Sequence, residues 1–538
     1  MKKITDASIW TPLFIALAFI GGILCDNLLK RGSSLTETEK KFRNILNLIE
    51  NEYVDEVNTD SLIESIIPDL FAALDPHSLY IPAEDLQAVN DELEGSFCGI
   101  GIQFTLNNDT ITVVESLANG PSERVGIVAG DRIIAVDDEN VAGVGITNED
   151  VLSKLRGDNG TVVTLTIKRR NTKKPITFKV ERAEIPYNTV DAAYIASPGI
   201  GYLNVNRFGK NTYDEFWQAL NQLRKKGAEK YIIDLRGNTG GYMEMAVLMI
   251  NEFMPKGTPI VYTAGRRSED DSHILSDGEG SFQKSKVVVL IDEISASASE
   301  IFAGAIQDND RGLILGRRSF GKGLVQRQID LPDNSAIRLT VARYYTPSGR
   351  CIQKDYTDSE AYENDLIYRY NHGETLEADS IHFDPSLAHL TMHGRTVYGG
   401  GGIMPDIFIP NDTSGITKYY LRVNNAGLLH KFALEYVDNL RPQLEKAKTI
   451  SELEQKLPTD FELLNQFVRF ATRNGERAQW YYIDHSADLI VSQLKALIAD
   501  NVLGRAAMLQ VLNQTDPNVT KAIEILNSSK SNFPILPE

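Results

Sequence analysis

Residues 286–326 read KVVVLIDEISASASEIFAGAIQDNDRGLILGRRSFGKGLVQ. Five apolar residues in succession, Val287, Val288, Val289, Leu290 and Ile291, end at Asp292-Glu293, the pattern of a buried strand. Ser295-Ala296-Ser297-Ala298-Ser299 then leads into Ile301, Phe302, Ala305 and Ile306. Their spacing predicts a helix whose first turn is made of Ser and Ala. A second apolar strand, Leu313-Ile314-Leu315, follows, and after it Gly321-Lys322-Gly323 and Gln326.

Strand, sharp turn, serine and helix together make a rigid mount for a nucleophile. The free N–H groups and positive dipole at a helix N-terminus can stabilise an oxyanion. A serine hydroxyl attacks only when a base takes its proton. No histidine lies between Glu300 and Gln326, but Lys322 does, between two glycines that let other backbone pack close. Desolvation lowers a lysine pKa and makes the neutral, basic form available. Gln326 can hold that amine by a hydrogen bond without adding a charge.

The SASASEI string, the lysine in FGKG and the glutamine four residues later resemble the C-terminal processing peptidases, also called tail-specific proteases. That family consists of Ser/Lys endopeptidases carrying a PDZ domain. Its spacing from nucleophile to lysine implies Ser297 and Lys322 as the dyad, with Gln326 orienting the lysine. Upstream, Tyr231-Ile232-Ile233-Asp234-Leu235 reads as a buried strand ending in Arg236-Gly237-Asn238-Thr239-Gly240-Gly241. This turn lacks the Gly-Lys-Ser/Thr of a phosphate-binding loop and the full dinucleotide fingerprint. In the family an LRxNxGG segment lies beside the nucleophile. The resemblance thus implies an oxyanion hole made by Gly240 or Gly241 together with the Ala298 N–H.

Residues 97–185 resemble a PDZ domain. Gly99, Ile100, Gly101 and Ile102 match its carboxylate-binding loop, where successive N–H groups converge on a peptide C-terminus and the next strand pairs with the peptide. Gly130-Asp131-Arg132-Ile133-Ile134 matches the turn before a PDZ core strand. Strands alternating with helices across residues 186–350 make the following domain α/β, and the resemblance implies a crotonase/Clp-like core. The fold class is thus an α/β multidomain chain with helical N- and C-terminal regions. Its parts are residues 1–31, 32–96, 97–185, 186–411 with an inserted segment at about 354–398, and 412–538. The insert is acidic and tyrosine-rich, and reads as a cover for the site, a partner contact or a surface excursion. The C-terminal region shows helical spacing and no chemistry.

Lys2 and Lys3 precede an apolar run from Ile9 to Cys25, which reads as an export signal or, in preference, an uncleaved membrane anchor. The bulk of the chain is then expected in the cell envelope, on the extracytoplasmic side. A net charge of −18 argues against a nucleic-acid partner. Three cysteines give no disulfide framework, and the scattered histidines form no metal motif, so neither metal nor cofactor is expected. The expected function is a serine endopeptidase that recognises free apolar C-termini of protein or peptide substrates and cuts nearby. A homo-oligomer or an adaptor is open. The alternative is an inactive PDZ scaffold that binds C-termini.

Overall fold

The computed structural model describes residues 36–528, except 108, 118–119, 171, 187 and 382–383. The expected signal or anchor in residues 1–31, with Cys25, lies outside these residues. Among the described residues no helix is long and apolar enough to cross a membrane. The chain divides into two units with a boundary between Asp75 and Pro76. In the first, the apolar spacing yields helices Glu37–Glu52 and Thr59–Ala72. Each starts on a side-chain cap: Thr36 accepts from Glu39 N–H at 3.3 Å, and Asn58 from Ser61 N–H at 3.1 Å.

In the second unit a six-stranded sheet runs in the order Val190–Ser197, Ile200–Val205, Lys230–Asp234, Lys286–Ile291, Leu313–Gly316, Ile407–Phe408. Only the first pair is antiparallel. The strands read as unbroken apolar runs because both faces are covered. Helices Thr212–Lys225, Met243–Asn251 and Ala298–Asp308 cover one face through Phe216, Met249, Phe302 and Ile306. Every residue of Ala298–Asp308 is buried, which explains its small residues: a Cβ on Gly304 would lie 2.8 Å from Thr346 Cγ2.

The other face is covered by the last helix, Pro517–Asn527, through Val519, Ala522 and Leu526. The C-terminal region is therefore part of this sheet's core as well as a bundle of its own. Arg236, in the turn after Lys230–Asp234, pairs with Asp516 at 2.7 Å and Asp234 at 2.6 Å. Lys230 Nζ donates to Leu526 O at 2.8 Å. Leu526 is fully buried, so Leu526→Ala is expected to destabilise the chain by about 2–5 kcal/mol, measured by denaturant unfolding. A loss within experimental error would show that this helix does not belong to the cooperative core.

Residues 96–186 form a separate core. Strands Ser96–Gly99 and Ala183–Pro186 pair antiparallel and close its two ends on each other. Inside, an antiparallel sheet runs Ile102–Leu106, Ile111–Ser116, Arg132–Val136, Val162–Lys168, Ile176–Glu181, with Ile102–Leu106 at the edge. Asp131, fully buried, is neutralised by Arg169, whose Nε and Nη2 both donate to it at 2.7 Å. Helix Leu428–Leu444 of the C-terminal bundle touches this unit: Arg170 donates to Asn439 at 2.7 Å, and Arg132 lies 3.5 Å from Asp438.

A second sheet, all antiparallel, joins Leu79–Ile81, Pro259–Gly265, Ser272–Leu275, Leu324–Asp330 and Ala336–Tyr345. The segment just after the first unit thus enters the core as a strand, within residues 32–96 that the sequence gives as a helical region. The insert is also built in. Arg369, buried on helix Asp365–Asn371, donates to Ser319 O at 3.1 Å and Arg318 O at 2.6 Å. It braces the loop that leads to Lys322.

Candidate active site

The turn between Lys286–Ile291 and Ala298–Asp308 carries the three serines, and burial separates them. Ser295 is fully buried and donates to Leu235 O at 2.8 Å. Ser299 is fully buried and donates to Asn238 O at 2.9 Å. Ser297 alone is partly exposed. Its φ of 54° and ψ of −113° are a strained conformation for a residue with a Cβ. Asn238, fully buried, joins this turn to the upstream loop. It accepts from Ala296 N–H at 3.0 Å, donates to Val205 O at 2.8 Å and accepts from Gly240 N–H at 2.8 Å.

Glu300 reaches back over the start of its own helix. Its Oε2 accepts from the Ser297 N–H at 2.8 Å and from the Lys322 N–H at 2.9 Å. Its Oε1 accepts from Gly321 N–H at 2.7 Å and from Ser319 Oγ at 2.5 Å. One buried carboxylate therefore holds both residues, whose backbone nitrogens can be no further apart than the two bond lengths together. Burial pushes the Glu300 carboxyl up to about 7, against these four donors, which favour the ionised form. Tyr344 makes a second clamp: its hydroxyl lies 2.6 Å from Lys322 O and 3.1 Å from Ser297 O. Burial first, then the neighbouring Glu300 and Cys351, hold the Tyr344 phenol well above its ordinary range, so it stays a proton donor.

Lys322 is half-buried, and its Nζ donates to Gln326 Oε1 at 2.8 Å. Gln326 stands on strand Leu324–Asp330, opposite Thr340. Its Nε2 donates to the carbonyl of His77. The flanking glycines admit neighbouring backbone, as the sequence suggests. A Cβ on Gly323 would lie 2.9 Å from Gln353 N, and one on Gly321 3.1 Å from Gly402 N.

Gly240 lies against Ser297. At φ 105° a Cβ there would sit 2.7 Å from Ser297 Cβ and 3.1 Å from Ala298 N. Its own N–H is committed to Asn238. Gly241, exposed at φ 140°, and Ala298, at the first position of the helix, donate in no hydrogen bond among the described residues. The 99–102 loop lies in the other core. Gly99, Ile100 and Gly101 are buried, and Ile100 packs with Ile111, Val113, Val163 and Leu165. Ile102 opens the edge strand, whose outer side pairs with nothing among the described residues. No group of three or more His, Cys, Asp or Glu side chains among those residues is placed to hold a metal ion.

The sequence shows Glu300 only as an acidic residue in the first helical turn, and no local pattern signals its hold on Lys322. Tyr344 belongs to no motif, and Asn238 is marked only as the Asn of the LRxNxGG segment, with no role of its own. Nothing in the local pattern of the Ala336–Tyr345 strand marks Tyr344, because its partners lie 22 and 47 residues away in the chain.

Residues 199–361 match peptidase family S41, residues 112–169 match a PDZ domain, and residues 419–504 match a family of unknown function. The chain is 36% identical over 348 residues to a carboxy-terminal-processing protease of Bartonella bacilliformis, covering 62% of this chain and 79% of the relative. It is 35% identical over 328 residues to the carboxy-terminal processing protease CtpB of Bacillus subtilis, covering 60% of this chain and 67% of that protein. Among solved structures it is similar to a photosystem II D1 C-terminal processing protease, with 25% identity, a TM-score of 0.35 and coverage of 71% and 95%. With its S41 core following a PDZ unit, the chain belongs to the carboxy-terminal-processing proteases and is a serine-type protease.

Proposed function

We propose that this protease works through a Ser297/Lys322 dyad in the cell envelope and selects substrates by a free apolar C-terminus. The observation that carries the dyad is the pair of clamps, Glu300 on both N–H groups and Tyr344 on both carbonyls. Ser297 Oγ attacks the scissile carbonyl while neutral Lys322 Nζ takes its proton. The resulting ammonium then protonates the leaving amine, and water, deprotonated in turn by Lys322, releases the acyl group from Ser297. Gln326 orients the amine through its Oε1. The undonated N–H groups of Ala298 and Gly241 are the better candidates for holding the oxyanion, since that of Gly240 is occupied. Gly240 then serves by giving room. The loop of Gly99, Ile100, Gly101 and Ile102 takes the substrate carboxylate, and the open edge of Ile102–Leu106 pairs with the residues before it. The envelope assignment rests on the basic start and apolar run within residues 1–31.

The test is cleavage of an unfolded reporter polypeptide ending in Leu-Ala-Ala by the full-length chain, read by intact mass. The free-acid tail is compared with the same tail amidated, and wild type with Ser297→Ala. The free tail is expected to be cut near its end, and the amidated tail at least about tenfold more slowly, the effect of losing a charged hydrogen bond. Ser297→Ala is expected to cut neither. Equal cutting of both tails overturns carboxylate capture, and cutting by Ser297→Ala overturns the nucleophile.

A further inference from the structure

We infer that the insert positions the catalytic lysine through Tyr362 and His77, a role that rests on Lys322 being the base. The chain of contacts is continuous. Tyr362, buried on the short helix Ser359–Glu363 of the insert, places its hydroxyl 2.5 Å from His77 Nε2. The carbonyl of His77 accepts from Gln326 Nε2, and Gln326 Oε1 accepts from Lys322 Nζ at 2.8 Å.

The chemistry of the primary amide makes this chain matter. A glutamine side chain has one face that donates and one that accepts, with nearly the same shape. Flipped by half a turn, Gln326 would present N–H groups to the Lys322 amine and offer it nothing to donate to. The carbonyl of His77 decides the orientation, because only the N–H face can bond to it. The accepting face must then point at Lys322. An amine that spends one proton on Gln326 leaves its lone pair free for the proton of Ser297.

His77 stands just before strand Leu79–Ile81, so its carbonyl is placed by backbone that its ring can steer. The insert holds that ring from two directions. Beyond the hydroxyl contact, the Tyr362 ring packs edge-on against His77 with centroids 5.6 Å apart. Tyr362 is itself held by Lys354, whose ammonium lies between the rings of Phe320 and Tyr362, 4.0 and 4.1 Å from their centroids, and bonds Asp365 at 3.0 Å. Phe320 is two residues from Lys322 and donates its N–H to Ser295 O at 3.0 Å. The insert therefore meets both ends of the segment that carries the base. It acts on the reaction without touching the reacting atoms, and Tyr362 and His77 are positioning residues.

Tyr362→Phe tests this with little disturbance, since the ring between Phe320, Lys354 and His77 is kept and only the hydroxyl is lost. With the Leu-Ala-Ala reporter, kcat is expected to fall about tenfold, the worth of one hydrogen bond, with KM unchanged and the melting temperature lowered by no more than about 4 °C. In a Gln326→Ala background the same substitution is expected to cost nothing further, because the amide it orients is gone. A Tyr362→Phe enzyme with wild-type kcat overturns the inference. So does a tenfold loss that persists in the Gln326→Ala background, since the effect would then travel another way. Lys322→Ala, run alongside, separates the two readings. If it is inactive while Tyr362→Phe is fully active, only the positioning chain fails. If it retains turnover, the dyad fails and this inference with it.

Discussion

Lys322→Ala is expected to lower kcat by about 10²- to 10⁴-fold, the range for removing a general acid–base group, and to leave the fold and tail binding as they are. The expectation of an intact fold is structural. Lys322 is held by its backbone, with its N–H on Glu300 and its carbonyl on the Tyr344 hydroxyl, and alanine keeps both bonds. What goes is the amine that donates to Gln326. Lys322→Arg should be equally inactive, because a guanidinium stays charged at any pH the protein survives and cannot accept a proton. The measurements are single-turnover rates on the Leu-Ala-Ala reporter, a melting curve and binding of a peptide with the same free end. Turnover of Lys322→Ala near that of wild type would rule out lysine as the base. Weakened peptide binding would mean that the side chain also shapes the recognition surface.

Glu300→Gln has the second-largest expected effect, and here rate and stability respond to pH in opposite senses. The carboxylate accepts four hydrogen bonds, from Ser297, Lys322, Gly321 and Ser319. An amide in its place turns one end into a donor and sets it against at least one of these groups. An unsatisfied buried group costs about 1–3 kcal/mol, so kcat should fall by about 10- to 100-fold and the melting temperature should drop. In the wild type the Glu300 carboxyl lies at about 7 when folded, against an ordinary 4.5. Between these values the folded state holds a proton that the unfolded state has released. The stability contributed by Glu300 is therefore complete below about 4.5 and is lost as pH rises through 7, by roughly 3 kcal/mol in all. The rate runs the other way, because only the ionised form accepts all four donors, and kcat should rise through pH 7. Glutamine does not titrate. The stability gap between wild type and Glu300→Gln should hence narrow by about that amount from pH 4 to pH 8, followed by denaturant unfolding. Parallel curves for the two proteins would place the titration elsewhere.

The elements around the site were legible where the chain repeats one environment. Residues 287–291 are apolar without interruption because the strand is covered on both faces. The helix after it is readable because its apolar spacing continues for three turns. Residues 230–241 show the same strand-and-turn pattern. The strand at Leu79–Ile81 was not legible, since three residues with one buried side chain carry too little period to detect. Neither was the covering role of Pro517–Asn527. Its apolar face is visible, but no local feature says that the face meets a sheet whose last strand, Ile407–Phe408, lies about a hundred residues earlier in the chain.

The amino-acid sequence by itself determined the chemistry available: a serine at a helix start, a glycine-flanked lysine without a histidine, and a neutral glutamine four residues on. It also carried the family's motifs in an order that implied a processing-peptidase core behind a PDZ unit. It left three serines, at 295, 297 and 299, equivalent by type and surroundings until the family spacing separated them. The tertiary structure alone decided that Ser295 and Ser299 are buried on carbonyls of the neighbouring Leu235–Asn238 backbone. It also decided that Glu300 and Tyr344 hold Ser297 and Lys322 to each other, and that the insert reaches Gln326 through His77. Apart from Glu300's bond to its own helix start, these are bonds between residues far apart in the chain, and their formation depends on how strands and helices pack. Local pattern records the environment of a residue's own face, while the partner across a buried interface is chosen only when the whole sheet closes.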